Sequence, residues 1–174
     1  ENGTVFGDLS AILIDNMPFW AEFSSTPSNK VSLMSDWETK MQAIVNETKN
    51  ENVTSLAGVP SWMLVLLNNV LESSEKSHIL EVWPNLEVYF HGGVSFLPYA
   101  SEYKKIIPSS NFKYYETYNA SEGFFGIQDR NNSDELMLML DYGIFYEFIP
   151  MDTYGTKNQK LIPIWRVEKG KNYA

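Results

Sequence analysis

VTSLAGVPSWMLVLLNNVL, residues 53–71, is the stretch of sequence that decides the fold. Its first six residues form a short strand-like run, 53–58. Pro60 then stands where a first helical residue belongs, because its φ is already helical and the N–H that it lacks is not needed there. The residues from Trp62 to Leu71 are apolar on nearly all sides of a helix, so we expect this helix to be covered by other parts of the chain.

Upstream of this stretch, the sequence predicts another helix. Ser35 and Glu38 have the spacing of a capping box, in which two side chains close the start of a helix. Trp37, Met41 and Ile44 then recur at helical spacing. We therefore predict a helix over 35–49.

Downstream, the strand and helix pattern repeats. The predicted elements are a strand over 86–90, a sharp exit at 91–93, a helix from Pro98 through 107 and a strand over 112–118. The strands start about 25 to 35 residues apart, which is the separation that a crossover helix between parallel strands requires. A parallel β-α-β-α-β layer follows.

After residue 123 the chain changes to short runs rich in β-formers, separated by turn residues, and these predict antiparallel strands over 124–128, 136–140, 144–150 and 161–167. The fold class is therefore α/β, with a parallel layer followed by antiparallel strands. We divide the chain into a helical lead-in (1–50), the parallel layer (51–122) and a β-meander (123–174). The pattern leaves open whether these strands join one mixed sheet or pack beside it.

Composition excludes several classes of function. The chain has 174 residues, 44% of them apolar, which is enough for one buried core. A net charge of −9 argues against a general nucleic-acid binder, whose affinity rests on clustered cations. Without cysteine there is no disulfide framework and no thiolate nucleophile, so a reducing cytoplasm is the expected compartment. No apolar run is long enough for a membrane span.

Unusual residues follow each strand of the predicted parallel layer. They are 57–61 (Ala-Gly-Val-Pro-Ser), 91–95 (His-Gly-Gly-Val-Ser) and 118–123 (Tyr-Asn-Ala-Ser-Glu-Gly). Ligands of open parallel sheets bind beyond the carboxyl ends of the strands. We therefore expect these three loops to meet at one edge and to form a binding site.

Each loop also has a structural interpretation. Gly92 and Gly93 are typical of a turn that needs positive φ, and equally of a surface on which a planar base or an acyl chain can lie. Ser121 and Glu122 are typical of a turn cap, and equally of a pair that holds phosphate oxygens and Mg²⁺. The residues alone leave both alternatives open.

Other kinds of chemistry find less support. With two histidines and no cysteine, the sequence shows no transition-metal constellation. A hydrolase triad of Ser121, His91 and Glu122 is disfavoured, because sequence neighbours cannot readily serve as nucleophile and orienting acid and no Gly-x-Ser-x-Gly elbow is present.

Five segments in order make the chain similar to a known family. They are Asp8-Leu-Ser-Ala-Ile-Leu13, Ala57-Gly-Val-Pro-Ser-Trp-Met63, Val82-Trp-Pro-Asn-Leu86 with the following Gly92-Gly93, Tyr118-Asn-Ala-Ser-Glu-Gly-Phe-Phe-Gly126, and Phe145-Tyr-Glu-Phe-Ile-Pro150. Together they resemble the GH3 auxin-responsive promoter family, in its bacterial branch, over almost the whole chain. The resemblance implies an acyl-adenylate-forming fold and an acyl-acid amido synthetase-like ligase.

The implied reaction has two steps, with ATP and Mg²⁺ as cofactors and a carboxylic acid and an amino acid or other amine as substrates. The carboxylate attacks the α-phosphate to give acyl-AMP and pyrophosphate, and the amine then attacks the acyl carbon. A Tyr-x-x-Ser-Glu motif of such enzymes matches Tyr118, Ser121 and Glu122. By that match Tyr118 contacts adenine or the acyl group, Ser121 contacts the α-phosphate, and Glu122 holds the metal or phosphate.

The same resemblance implies further positions. Gly92, Gly93 and Val94 match the loop beside adenine, and the acyl pocket positions match Thr117, Asn119 and Phe124. The family motif commonly has Tyr-Ala-Ser-Ser-Glu where this chain has Tyr-Asn-Ala-Ser-Glu, so a role for Asn119 does not carry over directly.

Parts of the family pattern are not in the sequence. They are a Ser/Thr/Gly-rich phosphate loop, an Arg-x-Gly-Asp segment and a C-terminal domain. Since the chain also starts at Glu1 without an initiator Met, we expect an internal fragment that is inactive alone. The alternatives are a noncatalytic small-molecule-binding α/β module and, third, an interaction domain rich in aromatic residues.

Overall fold

The computed structural model describes residues 9–131 and 133–174 and has a mixed α/β architecture, which confirms the predicted fold class. The chain forms two compact units, one that ends at Leu138 and one over Met139–Ala174. The helices are α1 (Leu9–Asp15), α2 (Phe19–Glu22), α3 (Asn29–Ser32), α4 (Trp37–Thr48), α5 (Pro60–Ser74) and α6 (Ala100–Ile106). The strands are β1 (Ser55–Gly58), β2 (Val88–Gly92), β3 (Lys113–Ala120), β4 (Gly123–Ile127), β5 (Met137–Leu138), β6 (Glu147–Phe148) and β7 (Ile162–Pro163).

The first unit contains a five-stranded sheet in the order β1-β2-β3-β4-β5. Strands β1, β2 and β3 are parallel, as the spacing of the strands predicted, whereas β4 and β5 are antiparallel to their neighbours. The antiparallel strands therefore extend the same sheet as far as β5. In the second unit, β6 and β7 pair antiparallel with each other.

Helix α5 begins at Pro60, as predicted, and supplies much of the core of the first unit. Its Leu67 and Val70 have no solvent exposure. The expectation that this helix is covered on nearly all sides is wrong, because Trp62 and Val65 on its outer face are 57% and 43% exposed. Trp62 packs edge-on against Trp37 of α4, with ring centroids 4.8 Å apart.

Helix α4 starts two residues later than predicted and has a different cap. Asp36, not Ser35, is the capping residue, and its carboxylate accepts a hydrogen bond of 2.8 Å from the N–H of Thr39. Hydrogen bonds from the Thr39 side chain and from its main-chain N–H lower the pKa of Asp36. The predicted Ser35–Glu38 capping box is therefore wrong, although the helix itself is confirmed.

Strand β2 is shifted toward the C-terminus relative to the prediction. It covers Val88–Gly92 rather than 86–90, so His91 and Gly92 are strand residues and only Gly93 begins the exit. The shift has a packing reason, because Tyr89 and His91 are the buried positions of β2, while Leu86 packs into the core just before it.

Candidate functional site

The exits of β1, β2 and β3 lie at one edge of the sheet, because the three strands are parallel and adjacent. Gly58 at the end of β1 pairs with His91, and Gly92 at the end of β2 pairs with Thr117 of β3. A Cβ atom placed on Gly93 would lie 3.4 Å from Cγ2 of Val59, in the exit of β1. The exits of β1 and β2 are therefore adjacent, whereas β3 continues past Thr117 to Ala120 before the Ser121–Glu122 turn.

The two glycines of the β2 exit serve different purposes. A Cβ on Gly92 would collide with the main-chain oxygen of Thr117 and would lie 2.8 Å from its Oγ1, so Gly92 lets β2 and β3 approach. The Thr117 hydroxyl donates a 3.1 Å hydrogen bond to the main-chain oxygen of His91 across the same strands. Gly93 has φ +81°, a conformation that favours glycine, and turns the chain away from the sheet.

An open cavity of about 270 Å³ lies between the exit of β2 and the end of β3, and we call it the rim cavity. Five of the residues singled out from the sequence line it: Gly93, Val94, Thr117, Tyr118 and Asn119. Ser95, from the expected loop 91–95, also lines it, whereas the sequence did not single out the other two lining residues, Glu116 and Leu136. Gly92, Ser121, Glu122 and Phe124 are not among its lining residues.

Ser121 and Glu122 form the two-residue turn between β3 and β4. Ala120 pairs with Gly123 on either side of the turn, and both turn side chains are exposed. Within the described parts of the chain, neither side chain makes a hydrogen bond or an ion pair. Because both side chains are exposed and form no such bond, they are accessible to a ligand.

Tyr118 and Phe124 stand on opposite sides of an irregularity in the β3–β4 pairing. Tyr118 pairs with Gly126 and Asn119 pairs with Phe124, so Phe125 is an extra residue in β4. The Tyr118 ring is 57% exposed, and its centroid lies 5.2 Å from that of Phe125. An exposed aromatic ring therefore stands beside the rim cavity.

Two protein-family models match the chain: the GH3 family N-terminal domain over residues 1–112 and the GH3 family central domain over residues 137–174. The chain belongs to the GH3 family. The segment 113–136, which contains β3, the Ser121–Glu122 turn and β4, lies between the two matched regions. No curated protein and no solved structure matches this GH3 chain.

Two buried tyrosines hold the exit of β1 in the GH3 chain. The hydroxyl of Tyr89 donates to the main-chain oxygen of Gly58 at 2.9 Å, and that of Tyr103 donates to the main-chain oxygen of Pro60 at 2.8 Å. Their rings stack with centroids 5.2 Å apart, and the two hydroxyls are 3.3 Å apart. We call Tyr89 and Tyr103 the tyrosine pair.

Burial keeps the tyrosine pair protonated. It raises the pKa of Tyr89 to about 12 and the pKa of Tyr103 still further above its usual value. Both hydroxyls are therefore neutral donors at physiological pH. Sequence reasoning missed them, although Tyr89 and His91 alternate along β2 in the way that marks a buried strand face.

His91 of the GH3 chain belongs to the aromatic core. It is 3% exposed, and its ring stacks on Phe96 with a centroid distance of 4.2 Å. Burial lowers its pKa to about 4, so the ring is neutral at physiological pH. Among the described residues, no hydrogen bond joins His91 to Ser121 or Glu122, and the disfavoured hydrolase triad gains no support.

The described residues hold no group of three or more His, Asp or Glu side chains that could bind a metal ion alone. Glu122 is a single exposed carboxylate. Mg²⁺ is commonly held by one or two carboxylates together with substrate phosphates. The fit of Mg²⁺ at Glu122 would therefore depend on further ligands from a nucleotide. Of the helices described, none has the length and apolar character needed to cross a membrane.

Proposed function

We propose that the chain is the central part of an ATP-dependent acyl-acid amido synthetase-like ligase. A carboxylate oxygen of the acid attacks the α-phosphorus of ATP, which forms acyl-AMP and releases pyrophosphate. The nitrogen of an amine, an amino acid in particular, then attacks the acyl carbon, which forms the amide and releases AMP and a proton. Membership of the GH3 family and the geometry of the sheet edge support this proposal.

The observation that carries the proposal is the rim cavity. It joins the glycine exit of β2 to the end of β3, where a ligand of an open parallel sheet binds. Main chain at Gly93 and the exposed ring of Tyr118 provide flat surfaces for the adenine base. Its volume of about 270 Å³ is below the usual range of small-molecule sites, about 300–1,000 Å³, so it holds part of a nucleotide rather than all of it.

The rest of the nucleotide extends toward the Ser121–Glu122 turn. The Ser121 hydroxyl would donate to an α-phosphate oxygen, and the Glu122 carboxylate would hold Mg²⁺ as one of its ligands. Bound there, the ion would supply charge compensation for the phosphates. Thr117 and Asn119 line the cavity for the acyl group, and Phe124 lies across from Asn119 in the sheet.

Binding of ATP to the complete gene product, measured by titration calorimetry with and without Mg²⁺, tests the nucleotide site. Glu122→Gln should weaken the Mg²⁺-dependent binding by about tenfold or more, because the amide is a poor ligand for a hard cation. Glu87→Gln is the matched control, an exposed glutamate that directly precedes β2 at the other end of the strand. Equal binding by wild type and Glu122→Gln would exclude the role of Glu122.

The reaction is tested with the complete gene product. A panel of carboxylic acids is screened for acid-dependent exchange of pyrophosphate into ATP, and at least one acid should support exchange. A noncatalytic small-molecule-binding module, the alternative function, would bind a ligand without exchange and without dependence on Mg²⁺. Absence of exchange with every acid would favour that alternative.

A further inference from the structure

A second cavity, of about 200 Å³, lies beside β1, which is the outer strand of the five-stranded sheet, and we call it the edge cavity. Strand β1 contributes Ser55, Leu56 and Ala57 to its wall. Helices α4 and α5, the loop before α3 and the segment between α5 and β2 complete the wall, mainly through Pro27, Ile44, Met63, Leu66 and Trp83. It shares no lining residue with the rim cavity.

The edge cavity carries no charged side chain, since its lining residues include no Asp, Glu, Lys, Arg or His. Its buried polar groups are already paired. The Thr48 hydroxyl donates to the main-chain oxygen of Ile44 at 2.8 Å, and Nε1 of Trp83 donates to the main-chain oxygen of Thr48 at 3.0 Å. A charged ligand would lose its hydration there without gaining a partner, which is costly.

We propose that the edge cavity is a binding site for a small uncharged apolar molecule. A dry apolar cavity of about 150 Å³ in a protein binds benzene. The edge cavity, of about 200 Å³, therefore suits a ligand between benzene and indole in size. The Ser55 hydroxyl and the main-chain groups on the side of β1 that pairs with no described strand allow one hydrogen bond, which indole can make and benzene cannot. This site is independent of the proposed function.

Met63 connects the edge cavity with the exit of β1. It lines the cavity, and a Cβ placed on Gly58 would lie 3.5 Å from its terminal methyl carbon. A flexible thioether side chain adapts to a neighbouring molecule more easily than a branched one. The resonance of the Met63 methyl group should therefore respond when a ligand occupies the edge cavity.

The first test titrates benzene and indole into the 174-residue chain with ¹³C-labelled methionine methyl groups. The Met63 resonance should shift saturably with both probes, while that of Met151, which is exposed and lies in the other unit, should not. Benzoate, the charged relative of benzene, should bind at least about tenfold more weakly. No saturable Met63 shift with either uncharged probe would overturn the proposal, and so would equal binding of benzoate.

The second test fills the cavity. Leu66→Phe enlarges a lining side chain and should abolish the Met63 response, whereas Val65→Phe, on the exposed face of the same helix, should preserve it. If Leu66→Phe bound benzene and indole as the wild type does, the assignment of their binding site to the edge cavity would be refuted. If Leu66→Phe does not fold, Ile44→Phe fills the cavity from the facing helix, and the wild-type titration decides the existence of the site without any variant.

Discussion

Replacement of Tyr103 by Phe tests whether the tyrosine pair holds the exit of β1. The substitution keeps the buried ring and removes only the hydroxyl that donates to the Pro60 oxygen at 2.8 Å. A buried acceptor that loses its donor costs about 1–3 kcal/mol. As the first residue of α5, Pro60 also offers its carbonyl to the helical N–H four residues on, so we expect the lower part of that range, about 1–2 kcal/mol.

Tyr114→Phe is the matched control for this experiment. Tyr114 packs against Tyr103 with ring centroids 6.2 Å apart, and burial raises its pKa to about 12. Its hydroxyl oxygen is buried, and no partner for it exists in the part of the chain that the structure describes. Removal of an unpaired buried hydroxyl relieves a desolvation cost, so this variant should be neutral or more stable by about 1 kcal/mol.

Urea denaturation measures both variants. The midpoint of Tyr103→Phe should fall at constant m-value, and that of Tyr114→Phe should stay or rise. Hydrogen exchange adds a local measurement, because the Met63 N–H bonds to the Val59 oxygen at 3.0 Å in the loop that Tyr103 holds. That amide should exchange faster in Tyr103→Phe alone. Equal destabilisation by the two variants would refute the assignment of the two hydroxyls.

Three further predictions concern other parts of the fold. Gly92→Ala should cost at least about 2 kcal/mol in unfolding free energy, because its Cβ collides with the Thr117 main chain; Thr117→Ala in the same chain should not restore stability, and restoration would contradict this cause. The pKa of His91 is lowered to about 4 from 6.5, so the unfolded chain takes up the proton first as pH falls. The stability that neutral His91 contributes should be fully present above pH 6.5 and should decrease by about 3 kcal/mol by pH 4. His91→Phe should remove this part of the loss of stability in acid, and a pH profile of stability that is unchanged in this variant would refute the role of His91. Asp36→Ala should lower the thermal midpoint and Ser35→Ala should not, since only Asp36 caps α4, and the reverse order would restore the predicted capping box.

The parts of the fold that could be predicted were those with a local physical cause. Pro60 marks the start of α5 because of its own ring, and the spacing of the strands determines that β1 to β3 are parallel. The cap of α4 was not predictable in the same way, because Ser35 and Asp36 are adjacent and both residue types cap helices well. In the structure Asp36 is the cap, and Trp37, the first residue of α4, packs against Trp62 of α5.

The candidate site also has a part that could be predicted from local causes. Its glycine and turn residues could be recognised in the sequence, because each of these residue types has its own backbone requirement. The residues that stabilise the β1 exit could not be recognised in the sequence. Tyr89 and Tyr103 donate hydrogen bonds to main-chain oxygens that are 31 and 43 positions away in the sequence. Partnerships of that kind depend on tertiary packing, which no local pattern of one sequence encodes.

In the proposed ligase, the residues that stabilise the β1 exit differ from the residues that bind the nucleotide. The hydroxyls of the tyrosine pair are engaged with the main chain of the β1 exit, whereas Ser121, Glu122 and the ring of Tyr118 are exposed. Preorganised groups favour binding because a rigid rim loses little conformational entropy when a ligand arrives. Substitution of the tyrosine pair should therefore weaken nucleotide binding together with stability, whereas substitution at the Ser121–Glu122 turn should weaken binding and leave stability nearly unchanged.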